Sequence, residues 1–143
     1  MLGRFDLSQT SPAAAGVSVG TAPVATGLDA FSWVSVEMLL RGGTGGILNV
    51  SLQTSDDGGI LWTDWYRGSD LAAGAAAGRI IVSNWSGAGA PIVVGQDLVP
   101  ALAKGTVRPG PVGARMRAVF ECGAGMSAGA AQAIFVKGYK ASG

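Results

Sequence analysis

The most regular feature of the chain is an alternation of apolar and polar residues. Over residues 47–54, Leu48, Val50 and Leu52 point one way and Asn49, Ser51 and Gln53 the other, the period-2 pattern of a half-buried strand. Residues 114–122 set Ala114, Met116, Ala118 and Phe120 against Arg115, Arg117, Val119 and Glu121. Residues 132–140 place Ile134 and Val136 on one face and Phe135 and Tyr139 on the other. Residues 31–41 form a longer apolar run of Val34, Val36, Met38 and Leu40, interrupted by Ser32, Ser35 and Glu37 and read as the first long strand. Shorter strands are predicted at 15–21, 61–67, 79–85 and 91–94. Residues 97–104 fit a strand or a helical turn, and 69–78 a loop or one helical turn, because Gly74 and the missing periodicity offset the helix preference of alanine.

Turn signals separate these segments, notably Gly42–Gly46 and Arg108-Pro-Gly-Pro. Roughly seven to nine short strands without a long helix predict an all-β, antiparallel β-sandwich, jelly roll or Ig-like, with the jelly roll preferred. Residues 15–143 read as a single sandwich domain. Residues 1–14 read as an extended N-terminal arm, apolar at Leu2, Phe5 and Leu7 but broken by Gly3 and Pro12.

Composition shifts attention from chemistry to surfaces. Charged residues make up 13% of the chain, against about 25% in an ordinary soluble domain. The 24 glycines and the alanines around 72–77 and 128–133 allow flat, close contacts. With a net charge of +1 the chain has no broad field to collect nucleic acid or an anionic membrane. Lys104–Arg117 reads as a solvated face. The opening MLGRFDLSQTSP lacks the plan of a secretory signal, no apolar run is long enough for a transmembrane helix, and the single Cys122 suits a buried thiol in a reducing cytoplasm.

Without histidine there is no Ser-His-Asp or Cys-His arrangement. A lone cysteine cannot build a cysteine zinc site. Asp56, Asp57 and Asp64 lack the spaced ligands of a calcium loop. No enzyme activity, cofactor or metal is therefore expected. The sharpest local motif is Ser55-Asp-Asp-Gly-Gly-Ile-Leu-Trp62. Ser55, Asp57, Gly59 and Trp62 fit the Asp-box pattern, in which the carboxylate accepts turn amides, glycine supplies positive φ and the indole covers the hairpin. It predicts a structural hairpin. Trp62, Trp65 and Tyr66 form an aromatic cluster, read as core or interface anchors, with a sugar platform as the alternative.

The segment 36–67, a strand, a Gly-rich turn, the hairpin LQTSDDGGILWTDW and a following strand, resembles a stretch found in small virion proteins of tailed bacteriophages. The resemblance covers about a fifth of the chain. It implies a non-enzymatic capsid decoration (cement) protein, made in the host cytoplasm and bound to the major capsid protein on the outer shell at subunit junctions. It also implies self-association as a dimer or trimer. Leu2, Phe5, Leu7, Trp65 and Tyr66 are the interface candidates. A tail or baseplate subunit, or a carbohydrate-binding sandwich, are the rival readings.

Overall fold

The computed structural model describes residues 3–7, 9–10, 16–18, 24–41, 46–72, 80–83, 102–108, 112–123 and 131–140. Among them there is no α-helix; a single 3-10 turn occupies Leu28–Ala30. The strands are β1 (Gly3–Asp6), β2 (Gln9–Thr10), β3 (Gly16–Ser18), β4 (Ala25–Thr26), β5 (Trp33–Arg41), β6 (Leu48–Ser55), β7 (Thr63–Arg67), β8 (Ile80–Ser83), β9 (Thr106–Val107), β10 (Arg115–Cys122) and β11 (Ala131–Tyr139). They form two antiparallel sheets. Sheet I runs β1-β11-β5-β8, with β2 also on β11; sheet II runs β3-β10-β6-β7-β9, with β4 also on β10. The protein is thus an all-β sandwich.

The pairings nest. β1 pairs with β11, β3 and β4 with β10, β5 with β8 and β6 with β7, each pair enclosed in sequence by the one before. Two further ladders, β5–β11 and β6–β10, complete the sheets. The core lies between them. Val34, Val36, Met38, Ile134 and Val136 of sheet I face Leu48, Val50, Leu52, Met116 and Phe120 of sheet II, all buried. These are the residues that the alternation assigns inward.

One ring closes an end of the sandwich. Gly3 and Gly138 are register partners, and the ring of Phe31 lies across both. A Cβ would come to 2.6 Å from it at Gly3 and 2.5 Å at Gly138, so glycine is required by packing. Phe5 meets Phe31 edge-on at 6.4 Å.

At residues 3–7 and 9–10 the structure corrects the expectation of an extended N-terminal arm that reaches onto a neighbour. β1 and β2 are edge strands of the chain's own sheet I. Leu7 is fully buried in the chain's own core, and its amide donates to the Ile134 carbonyl at 2.8 Å. Backbone donors placed beside the open edge of β11 are satisfied there, so Leu7 is a core residue and Phe5 packs against that core. Leu2 and residues 11–14 lie outside the described residues, as does the predicted strand at 91–94. The predicted strand at 79–85 is described as β8, and of 97–104 only 102–104 are described, in irregular backbone.

Candidate functional site

The hairpin between β6 and β7 is built as the motif predicts. Asp57 Oδ1 accepts from the amides of Ile60 and Leu61 at 3.0 and 2.9 Å and from the Ser55 hydroxyl at 2.8 Å. The Ser55 hydroxyl in turn accepts from the Gly59 amide. Gly58 and Gly59 hold positive φ, 78° and 91°, a region closed to most side chains. Trp62 Nε1 donates to the Gly59 carbonyl at 2.9 Å, and the Trp62 ring lies under Arg117 at 4.3 Å. The bonds to the turn amides, that of Leu61 above all, hold the Asp57 carboxyl below its ordinary value. This bracing fixes a tip on which Ile60 is 81% exposed and Leu61 47%. The motif announces the braces but not these two apolar side chains, whose exposure follows from the turn geometry.

The aromatic cluster is divided by a β-bulge. Leu52 pairs with Tyr66 but Gln53 with Asp64, so Trp65 has no register partner on β6 and the alternation breaks there. Trp65 turns into the core at 0% exposure while Asp64 turns to the outer face. Among the described residues its indole Nε1 is buried without a hydrogen-bond partner. Trp65 is therefore neither an interface anchor nor part of a sugar platform. Tyr66 lines a cavity of about 330 Å³ between the sheets with Leu40, Val50, Leu71 and Ile80, and burial pushes its phenol up. Trp62 is also buried, so the three side chains present no exposed plane.

The outer face of sheet II is polar yet buried. Arg117 Nε donates to Gln53 Oε1 at 2.9 Å, Gln53 Nε2 donates to Asp64 Oδ1 at 3.0 Å, and the Leu102 amide donates to Asp64 Oδ2 at 2.9 Å. Arg67 reaches the Leu102 carbonyl at 3.0 Å and pairs with Glu121 at 3.0 Å. The backbone at Leu102 is thus held at both its N–H and its C=O. The residues expected to face water from β6, Asn49, Ser51 and Gln53, are buried beneath this layer. Arg117, Gln53, Asp64 and the Leu102 amide are engaged with one another, so the layer reads as structural. Among the described residues no group of three or more His, Cys, Asp or Glu is placed to hold a metal.

The outer face of sheet I has the opposite character. Trp33, Leu39 and Ile81 stand on it at 38%, 47% and 55% exposure. Trp33 stacks on Tyr139 at 4.5 Å, and Arg4 lies over the Phe135 ring at 4.3 Å. Lys137 donates to Glu37, so charge at the centre of the face is neutralised locally. No helix among the described residues is long and apolar enough to cross a membrane. Comparison with protein-family models, curated proteins and solved structures found no match.

Proposed function

We propose that the chain is a non-enzymatic structural subunit of a tailed-phage virion that decorates the outside of the capsid by binding the major capsid protein. The observation that carries this reading is that exposed apolar side chains stand in two separate places on one sandwich. One is the braced tip at Ile60 and Leu61, the other the outer face of sheet I. A decorating subunit needs one surface for the shell and one for its own kind. A preorganised apolar tip loses little freedom on docking. The nested strand pairs, rolled into two sheets of order β1-β11-β5-β8 and β3-β10-β6-β7, support the jelly-roll form of the sandwich, which is common in viral shells but also in lectins. Fold alone does not choose between those; the low charge and the resemblance of residues 36–67 favour the virion.

The test is co-sedimentation of the purified chain with heads of the phage that encodes it, prepared without the protein. Saturable binding at a fixed number of copies per shell is expected, and Ile60→Ser with Leu61→Ser should abolish it while the melting temperature stays put. Binding to tails and not heads would move the protein to the tail. The stack of exposed Trp33 on half-buried Tyr139 favours a sugar platform as the second reading, and glycan-array binding lost in Trp33→Ala would establish it.

A further inference from the structure

We propose that the outer face of sheet I is the contact between two copies of the chain, packed face to face about a two-fold axis that lies in the plane of contact and runs across the strands. The inference rests on the reading above that the protein is an assembly subunit, and it names the partner of this surface. The order of residues on the face carries it. Strand register places them in rows across the sheet. One row is Asp6, Phe135, Glu37 and Ile81; the next is Arg4, Lys137, Ser35 and Ser83. Beyond the first row lies Leu39, beside Ala133; beyond the second lies the Trp33–Tyr139 stack.

The face is therefore polarised along the strands in two respects. Asp6 and Glu37 share one row and Arg4 and Lys137 the next, an aliphatic end opposes an aromatic end, and Arg41 stands at the margin beyond Leu39. A two-fold axis between the two rows turns each feature onto its complement. Asp6 of one copy falls on Arg4 of the other, Glu37 comes beside Lys137, and Leu39 lies on the face of Trp33. Among Asp6, Glu37, Arg4 and Lys137 like charges nowhere meet, which is the requirement for a self-complementary contact. An axis along the strands instead sets Ile81 against Asp6, burying a carboxylate against an aliphatic side chain, and is disfavoured. Sheets packed this way lie about 10 Å apart, with strands of the two copies roughly aligned.

The area decides how strong the contact is. Four strands about 4.8 Å apart and some seven residues long give a footprint of roughly 450 Å² per copy, or about 900 Å² for the pair. That is the small end of specific interfaces, below the standard ~1,600 Å². The pair should form in the micromolar range and become firm only where a shell holds copies side by side.

Sedimentation velocity on the purified full chain at up to about 100 µM tests this. Wild type should show a concentration-dependent dimer. Arg4→Glu and Asp6→Lys, both on exposed positions of β1, should each dissociate at least tenfold more readily, because each sets like charges opposite one another twice. An equal mixture of the two variants should recover the dimer. In the mixed pair the introduced carboxylate of one copy meets the introduced ammonium of the other, and the unaltered Asp6 faces the unaltered Arg4. A wild-type monomer at the highest concentration, or a mixture no better than its components, overturns the contact. Shell binding measured alongside separates the two ideas. A monomer that binds heads refutes this contact and leaves the decoration reading standing; a dimer that the mixture restores but that ignores heads does the reverse.

Discussion

Exchanging the carboxylate of Asp64 for an amide should destabilise the fold far more than its small size suggests. Three hydrogen bonds that lead to it run in one direction. Arg117 donates to Gln53, and Gln53 and the Leu102 amide donate to Asp64. Asp64 is 1% exposed. In Asp64→Asn the new amide offers one acceptor to two incoming donors, so one buried N–H faces another. Flipping Gln53 only moves the conflict to Arg117, which can only donate. A buried donor left unmet costs about 1–3 kcal/mol, and loss of charge assistance at the remaining bonds about 1 kcal/mol more. The sum is about 3 kcal/mol, or roughly 6–12 °C in melting temperature for a domain of this size. Urea unfolding followed by tryptophan fluorescence reads it directly. Gln53→Glu alone should also destabilise, by setting two buried carboxylates together. The double variant, Gln53→Glu with Asp64→Asn, restores a consistent chain. Arg117 then donates to the new carboxylate at position 53, the new amide at position 64 donates to that same carboxylate, and the Leu102 amide donates to the amide oxygen. It should regain at least half the loss. Strictly additive losses, or an Asp64→Asn effect under about 0.5 kcal/mol, would refute the directional chain.

Gly138→Ala should cost about 1–3 kcal/mol through overpacking against Phe31, and Phe31→Leu in the same chain should relieve it; thermal melts of the three variants decide. Asp57 is held below 3.8 when folded, first by the Leu61 amide, so its contribution is present above that pH and lost as the pH falls through the folded value. The melting temperature of Asp57→Asn should accordingly lie below wild type at neutral pH and converge with it in acid; a constant gap would argue against the brace. Cys122, whose thiol burial raises from 9.0, should react slowly with iodoacetamide at about pH 8 in the native chain and fast in urea, and rapid native labelling would place the thiol at the surface.

The inward faces of β5, β6, β10 and β11 are legible in the sequence because period 2 and a dry interior are local rules. Val34, Val50, Phe120 and Ile134 stand where alternation puts them. The Asp-box hairpin is legible for the same reason, since every one of its bonds spans four residues or fewer. What escaped is non-local. Nothing near Gln53 announces that the backbone at Leu102 will cap Asp64 and bury the polar face of β6. The bulge at Trp65 turns two successive residues, Trp65 and Tyr66, to the inner side of sheet II, a change no run of aromatic residues reveals. Leu7 looks like part of a loose arm until the open edge of β11, far along the chain, gives it a sheet to join.

That edge has a consequence for how the protein is made. β11 is the last strand of the described chain, yet it is the neighbour of β1, β2 and β5. Synthesis runs at about 5–20 residues per second and earlier segments begin to organise first. Sheet II can pair its central ladders once β10 exists, while the first strands of sheet I wait for a partner not yet translated. Contacts of such long sequence separation form slowly. A chain interrupted before residue 131 carries β1, β2 and one side of β5 without their partner, and the aggregation hazard of unpaired strands falls more heavily on the unfinished protein than on the finished one.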